Sequence, residues 1–305
     1  MKKYAIALLG TLLTLATAAP SWAETVIEKV ARTGVLTVGT SFDTVPYSYI
    51  DADGNLVGYS VDIVNRIKAQ LEAELGREVI VQRREATSLG DRIPLLTSRE
   101  IDLSCDTQFT WERDRYVDFS VSYGLSGIRL LTPEGSTLGT PESLAGQQIG
   151  VLQNSIAQQV MGLVQPEAVL VPVASPAEGF AALQAGEVDA IAGDSVVLGG
   201  LVAQQGGTEV FELAPATPYQ RYGIACMVPS NNSTFLNMVD YAIAGLLQDY
   251  VSGDQPALTT VNRWIGPGGI VPLPQEFITE FFEAVLIQRA QVPQGKRKKN
   301  VAMRC

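Results

Sequence analysis

Short β-forming runs alternate with segments of helical apolar spacing along most of this chain. Residues 35–39 and 101–104 are predicted strands, whereas residues 60–75 and 92–98 place apolar side chains at the i, i+3 and i+4 positions of a helix. Gly76 follows the first helix where a C-cap is expected. Alternation of this kind predicts an α/β fold built on mostly parallel sheet.

Length and charge narrow the classes of function. The 305 residues, 46% of them apolar and 18% charged, are enough for one large or two ordinary globular domains. The 22 basic and 32 acidic residues give a net charge of −10, which argues against nucleic acid as a partner because phosphate binding needs a surplus of cations.

The chain contains no histidine. This removes the Ser/His/Asp triad, the usual histidine general base and every zinc site that uses imidazole. No metal site and no cofactor are expected from the remaining residues.

The first 23 residues have the pattern of a secretory signal peptide, with basic residues, an apolar run and small residues before a cut at Glu24. A retained membrane helix is the alternative, but the apolar run is shorter than the roughly 20 residues that span a bilayer. No cysteine follows the run, so a lipid anchor is not expected. The sequence therefore predicts export from the cytoplasm.

The opposite end of the chain is rich in cations and has no acids. This end is predicted to be a solvated, disordered tail, and the alternative is attachment to anionic lipid or to the acidic body of the protein. The cations are Arg289, Lys296, Arg297, Lys298, Lys299 and Arg304.

Three cysteines are present, two of which follow strand-like runs. Export permits disulfides, so a bridge between Cys105 and Cys226 is one hypothesis. Two buried free thiols are the alternative. Cys305 lies in the tail.

A weak internal repeat links two acidic residues. Segments 100–103 and 187–190 are 87 residues apart, and each leads into a strand end that delivers an acid, Asp106 in one case and Asp194 in the other. Two similar α/β lobes would explain the repeat, and ligands of open α/β sheets bind beyond the carboxyl ends of strands.

Arg113 is the residue that most suggests a binding site. Thr110 is a candidate N-cap, which puts Arg113 in a first helical turn, where the helix dipole disfavours a cation. A bound carboxylate would satisfy its planar guanidinium. The alternative is a salt bridge to Glu112, Asp114 or Asp118.

Taken in order, six segments resemble the periplasmic solute-binding proteins of polar-amino-acid ABC transporters. They are VGT at 38–40, VPYSY at 45–49, LVGYSVD at 56–62, RIPLL at 92–96, TWERDRYVDFS at 110–120 and GEVDA at 186–190. Ser88 ahead of Arg92, Cys105, Arg129 and Tyr222 are most similar to the glutamate/aspartate-binding branch.

The resemblance implies a two-lobed periplasmic binding protein fold of type II, with two mixed, mostly parallel sheets joined by two hinge strands. Lobe 1 would comprise residues 24–127 and 223–275, and lobe 2 residues 128–222. Residues 276–305 would form a C-terminal extension that carries the basic tail.

The resemblance also assigns roles around the α-amino and α-carboxylate groups of one bound amino acid. Arg113 would hold the carboxylate and Asp194 the ammonium, because a zwitterion in a dry cleft needs both charges matched. Gln108 and the Asp106 carbonyl would assist. Ser155 would add its hydroxyl at a helix N-terminus when the lobes close.

Other positions bear on the side chain of the ligand. Tyr59 and Phe109 would form apolar walls, or are ordinary core aromatics. The branch that binds glutamate and aspartate reads the ligand side chain with a basic residue and a histidine, and this sequence has Ser41 and Pro176 at those positions. Arg92, beside Ser88, is the remaining candidate reader of a side-chain carboxylate.

Glutamate or aspartate and glutamine or asparagine thus remain open as ligands, and Asp106 or Asp43 could favour another amino acid. The predicted function is capture of a polar or acidic L-amino acid for an ABC importer, with a membrane permease as partner and the binding protein as a monomer. An exported enzyme similar to cyclohexadienyl dehydratase is the alternative, because fold does not determine function. A sensory module that reports amino acids to a receptor is a third possibility.

Overall fold

A computed structural model describes residues 24–86, 89–207 and 209–291. The predicted signal segment, Ser88, Cys305 and the tail beyond residue 291 lie outside these ranges. The helices of the described chain are α1 (Val26–Thr33), α2 (Tyr59–Leu75), α3 (Leu89–Thr97), α4 (Ile156–Val164), α5 (Pro176–Ala185), α6 (Ser195–Gln205), α7 (Ser233–Val251), α8 (Gln255–Ile265) and α9 (Gln275–Gln291).

The strands divide into one large sheet and one small sheet. The strands are β1 (Val35–Thr40), β2 (Asp43–Thr44), β3 (Ser48–Ile50), β4 (Leu56–Val57), β5 (Ile80–Glu85), β6 (Leu103–Gln108), β7 (Val117–Phe119), β8 (Gly124–Pro133), β9 (Gln148–Leu152), β10 (Val169–Val173), β11 (Ala190–Asp194), β12 (Phe211–Ala214) and β13 (Gln220–Pro229). In the small sheet, β3 lies between β2 and β4.

The large sheet is mixed and has the order β10-β9-β11-β8-β13-β6-β1-β5, with β12 paired to β8 and β7 paired to β13. The pairs β1·β5, β1·β6, β9·β10 and β9·β11 are parallel. The resemblance implies two mixed sheets joined by two strands, and in the structure β8 and β13 join the two halves into one ten-stranded hydrogen-bonded sheet. The reason is that β8 and β13 pair with each other and also with β11 and β6 respectively.

The two halves of the large sheet have similar strand arrangements, counted inwards from each edge. In one half β5, β1 and β6 lead to β13, and in the other half β10, β9 and β11 lead to β8. A helix precedes both inner strands, α3 before β6 and α5 before β11. This arrangement matches the internal repeat expected from the two acidic strand ends, and it places Asp106 and Asp194 in equivalent strands.

Helix α2 shows how the pattern of the sequence becomes the core. Ile63, Ile67 and Leu71 recur every four residues and are fully buried. Gly76 ends the helix with a φ of 63°, a left-handed conformation that glycine adopts without a Cβ clash. The predicted strand at 35–39 and helix at 60–75 are therefore confirmed to within one residue at each end.

Strand β6 differs from the prediction because it runs to Gln108 rather than ending at Ser104. The extra residues are polar, so the sequence alone did not suggest a strand there. Their backbone pairs with β13, where Thr107 lies opposite Ala225 and Gln108 opposite Ile224. Pairing with the neighbouring strand overrides the low strand propensity of polar residues.

The C-terminal helices cover the core on one side. Helix α9 packs against α7, with Ile278 and Phe282 buried between them. Its backbone stays helical through Gln291, past the position where the sequence predicts a solvated tail to begin. The buried apolar face of α9 accounts for the difference. Within the described ranges, no helix combines the length and apolar character that membrane crossing requires.

Candidate functional site

Two long strands bring the candidate residues together. Strands β8 and β13 are antiparallel, and Ser126 on β8 lies directly opposite Tyr222 on β13. Strand β11 pairs with β8 on one side, so its last residue, Asp194, lies opposite Ile128. The predicted lobe boundaries, at 127/128 and 222/223, fall inside these two strands.

Asp194 is a buried carboxylate at the N-terminus of α6. Its Oδ1 accepts hydrogen bonds from the Ser126 hydroxyl at 2.7 Å and from the backbone N–H groups of Val196 and Val197, both at 3.0 Å. Its Oδ2 accepts one hydrogen bond from the Tyr222 hydroxyl at 2.8 Å. Asp194 is therefore fixed in place, and Oδ2 retains the capacity to accept a further donor.

Burial raises the pKa of Asp194 above its ordinary value, and the hydrogen bonds it accepts oppose that rise. A carboxylate in this situation lacks a countercharge: none of the described lysines or arginines forms an ion pair with Asp194. A bound ammonium group would supply the missing positive charge.

Arg113 begins a 3-10 turn, Arg113–Arg115, that follows β6. The helical turn predicted here is a single 3-10 turn, because β7 begins at Val117 and leaves no room for a longer helix. Thr110 nevertheless acts as a cap, since its Oγ1 accepts a hydrogen bond from the Arg113 backbone N–H at 3.2 Å.

The Arg113 side chain is held by uncharged groups. Its Nη1 donates to the Gln108 backbone oxygen at 2.9 Å and to Gln108 Oε1 at 3.3 Å. The alternative predicted for it, a salt bridge to a neighbouring acid, is not found among the described residues. Burial lowers the pKa of the Arg113 guanidinium. Its other N–H groups remain available for a bidentate carboxylate.

Tyr222 interacts with Asp194 and with Gln108, the residue that binds Arg113. Burial raises the pKa of Tyr222 well above its ordinary value, Asp194 adds to this rise, and Gln108 opposes it. Tyr222 also influences the pKa of Arg113. The structure therefore groups Arg113, Gln108 and Asp194 around Tyr222.

Two members of this group, Tyr222 and Ser126, were not among the site residues predicted from the sequence. The sequence identifies Tyr222 only as a marker of the family branch. The available signal is a hydroxyl-bearing side chain within a long, largely apolar strand, since such strands ordinarily carry few polar side chains in their buried parts.

A second group of charges lies beside the first. Arg92 is buried, and its Nε donates to the Ala86 backbone oxygen at 2.7 Å, while Nη1 donates to the Cys105 backbone oxygen at 3.1 Å. Nη1 also forms a short ion pair with Asp106 Oδ1, and Nη2 lies 3.5 Å from Asp106 Oδ2. Burial is the main cause of the lowered pKa of Arg113, and the Arg92 charge contributes to it.

Asp106 has a left-handed backbone, with a φ of 60°. Its backbone N–H donates to the Tyr123 hydroxyl at 2.6 Å, and its Oδ2 lies 3.5 Å from the buried Ser41 hydroxyl. Burial raises the pKa of Asp106, and Arg92 opposes this rise through its charge and its hydrogen bonds. Asp106 and Arg92 thus satisfy each other inside the fold.

The remaining predicted residues lie in different surroundings. Tyr59 is fully buried, donates to the Tyr123 backbone oxygen at 2.8 Å and packs edge-on against the Tyr123 ring, which places it in the core. Phe109 is half-buried and makes edge contacts with Trp111 and Phe119.

Within the described ranges, three further predicted positions form no hydrogen bond or ion pair with Arg113 or Asp194. Ser155 is the N-cap of α4, and its Oγ accepts a hydrogen bond from the Gln158 backbone N–H at 3.1 Å. Pro176 is the first residue of α5. Asp43 is exposed on β2, although its charge contributes to the raised pKa of Asp106.

Cys105 and Cys226 form a disulfide between β6 and β13. The register of these two strands shifts between Ala225 and Met227, which places Cys226 at a bulge. Both cysteines are buried. The bridge anchors β6 just before Asp106 and Gln108, the strand residues that hold Arg92 and Arg113.

Comparison with known proteins identifies the family. Residues 36–266 match the model of the bacterial extracellular solute-binding proteins, family 3. A glutamate/aspartate import solute-binding protein of Salmonella typhimurium (strain LT2) is 26% identical over 266 residues, which are 86% of this chain and 85% of that protein. A glutamine-binding protein of Geobacillus stearothermophilus is 31% identical over 189 residues, or 61% of this chain and 71% of that protein.

Among solved structures, an ancestral amino acid-binding protein described as a precursor of cyclohexadienyl dehydratase has a TM-score of 0.67 and 21% identity, with 80% of this chain and all of that chain covered. This likeness shows a shared fold. With the α/β topology and the match over residues 36–266, the comparisons show that this chain belongs to the bacterial extracellular solute-binding proteins, family 3.

Proposed function

We propose that this protein captures a polar L-amino acid outside the cytoplasm and delivers it to an ABC importer. The observation that supports this most is a pair of opposite charges around Tyr222, the Arg113 guanidinium and the buried Asp194 carboxylate. Among the described residues, neither of them forms an ion pair. An α-amino acid carries the two complementary charges on one carbon.

In this proposal the ligand carboxylate binds Arg113, and the ligand ammonium binds Asp194 Oδ2. Gln108 supports the arginine from its backbone oxygen and its side chain. The half-buried Phe109 ring is available as an apolar wall. Ser155 approaches the carboxylate when the lobes close, with α4 directing its N-terminus towards the negative charge.

The proposed lobes are residues 24–127 with 223–275, and residues 128–222. Arg113 then belongs to lobe 1 and Asp194 to lobe 2, with β8 and β13 as the hinge strands. A ligand that touches both lobes binds the closed arrangement better than the open one, which is how binding drives closure.

The proposed setting is the periplasm, reached by means of a signal peptide at 1–23, and the proposed partner is a membrane permease that receives the loaded monomer. The family is described as extracellular. A disulfide is also typical of exported proteins. Because the relatives by sequence are named as binding proteins, binding without turnover is the activity proposed.

A thermal-shift screen of the purified protein against the twenty amino acids tests this proposal. A ligand that binds only the folded state raises the melting temperature, by an amount that grows with its concentration relative to Kd. We expect a clear rise with one or a few polar amino acids. No rise with any amino acid, or turnover of prephenate or arogenate, would contradict the proposal and favour an enzyme on this scaffold.

A further inference from the structure

The ion pair between Arg92 and Asp106 bears on which amino acid the site accepts. Both side chains are almost fully buried, with 3% of Arg92 and 2% of Asp106 exposed. Such a pair is costly to bury, and removing one partner strongly destabilises the fold because it leaves a buried charge without a countercharge. As long as both residues are present, the pair adds no net charge to its surroundings.

Arg92 has little capacity left for a ligand. Four of its N–H groups are directed at protein oxygens, those of Ala86, Cys105 and the two carboxylate oxygens of Asp106. A guanidinium has five N–H donors in total. An incoming carboxylate would have to compete with a carboxylate that is already held in place by the fold.

The pair lies close to the residues that hold the amino acid backbone. Asp106 is two residues from Gln108 on β6, and Gln108 binds Arg113. The Arg92 charge acts on the pKa of Arg113.

The charges of the two arginines and the two aspartates at the site then sum to zero. A ligand with an uncharged side chain leaves that sum unchanged. Arg113 and Asp194 match the two charges of the amino acid backbone, and Arg92 and Asp106 match each other. Two further charges act on these residues, Asp43 on Asp106 and Glu112 on Arg113, and both are negative. A side-chain carboxylate would be left without a countercharge in a partly dehydrated site.

We propose that Asp106 is a specificity-determining residue: by neutralising Arg92, it makes the site select amino acids with an uncharged polar side chain, such as glutamine, and reject glutamate and aspartate. This inference rests on the proposed function and names the ligand class of the same site. Asp106 acts through Arg92, which makes it a positioning residue. Removing its charge is expected to free Arg92 for a side-chain carboxylate.

The first test is calorimetric titration of the wild-type protein with L-glutamine, L-asparagine, L-glutamate, L-aspartate and L-arginine. We expect an uncharged amide to bind about 100-fold or more tightly than either acid, a difference of about 2.8 kcal/mol. Preference for glutamate, aspartate or arginine would overturn the inference while leaving the proposed function intact. Absence of binding by any amino acid would instead contradict the proposed function.

The second test is the Asp106→Asn variant, in which asparagine keeps the side-chain shape and tolerates the left-handed backbone. We expect the affinity ratio of glutamine to glutamate to fall at least about tenfold, and glutamate to raise the melting temperature of the variant. The double variant Arg92→Gln/Asp106→Asn is expected to keep the wild-type preference, because no cation is released. An unchanged ratio in folded Asp106→Asn would overturn the inference.

A matched control separates specificity from loss of a buried ion pair. Asp102, just before β6, is also a buried carboxylate in a salt bridge, and its partner is Lys29. Asp102→Asn is expected to lower stability without changing the ratio of glutamine to glutamate. If Asp106→Asn does not fold, the double variant decides: glutamate binding by a site without Arg92 would overturn the inference.

Discussion

The Tyr222 hydroxyl donates a hydrogen bond of 2.8 Å to Asp194 Oδ2, joining β13 to the end of β11. The two residues are 28 positions apart and meet because β11 and β13 both pair with β8. The contact orients the carboxylate that we assign to the ligand ammonium. Ser126, opposite Tyr222 on β8, orients the other oxygen of the same carboxylate.

Tyr222→Phe is expected to weaken amino acid binding by roughly 10- to 100-fold, because a hydrogen bond to a charged group contributes about 1.5–3 kcal/mol. Calorimetric titration measures the effect. Tyr219→Phe is the matched control, since the Tyr219 hydroxyl donates to the Gly139 backbone oxygen, away from this carboxylate. Equal losses in the two variants would argue against a role for Tyr222 in the site.

The raised pKa of Asp194 predicts how binding depends on pH. Ligand ammonium needs the ionised carboxylate, so affinity should fall on acidification, starting at a higher pH than for an aspartate with the ordinary pKa of 3.8. Titrations across this range measure it, and Asp194→Asn should remove the dependence. Affinity that stays constant until the ordinary aspartate range would contradict the assignment.

The contribution of Asp194 to the stability of the ligand-free protein should change with pH in the opposite direction. When the folded pKa of an aspartate is raised, the folded state binds the proton more tightly than the unfolded state. The contribution of Asp194 to the free energy of unfolding therefore decreases as the pH rises from the unfolded to the folded pKa. Denaturant titrations of wild type and Asp194→Asn isolate this contribution, and a difference of the opposite sign would contradict it.

Gly200 on α6 lies against the backbone of Val45, and a Cβ at Gly200 would be 2.6 Å from the Val45 oxygen. These residues belong to different proposed lobes, so Gly200→Ala should hinder their approach and weaken ligand binding several-fold. Gly245→Ala on α7 is the control, because a Cβ there meets no atom within 4 Å. Unchanged affinity in Gly200→Ala would show that this contact is not needed for the ligand-bound state.

The disulfide predicts the number of reactive thiols. Of the three cysteines in the chain, only Cys305 should react in the denatured, unreduced protein. Reduction should expose all three and lower the free energy of unfolding by about 2–5 kcal/mol, because the bridge closes a long loop. Three reactive thiols without reductant would mean that Cys105 and Cys226 are not joined.

Several elements could be predicted from sequence patterns alone. Strand β1 and helix α2 follow directly from apolar spacing and a glycine C-cap. The equivalence of Asp106 and Asp194 on the two inner strands follows from the repeat. The grouping of Arg113, Gln108 and Asp194 depended on resemblance to a family, because local spacing left a salt bridge open for Arg113.

Long-range pairing explains what the sequence did not indicate. Tyr222 and Ser126 meet because β8 and β13 are adjacent, although their residues are almost 100 positions apart. The partner of Arg92 depends on the left-handed backbone of Asp106, which no local pattern specifies. The prediction that Arg92 reads acidic side chains takes no account of Asp106 as its partner.

The central claim is that Arg113 receives the carboxylate of a bound amino acid, and titration of L-glutamine into wild-type and Arg113→Ala protein tests it most directly. Losing one partner of a buried charge pair costs about 2–5 kcal/mol, so we expect one site in the wild type and an affinity at least roughly 30-fold weaker in the variant. The neighbouring Arg115→Ala, which alters an exposed arginine on the same turn, should bind as the wild type does. Equal affinities in wild type and Arg113→Ala would contradict the account.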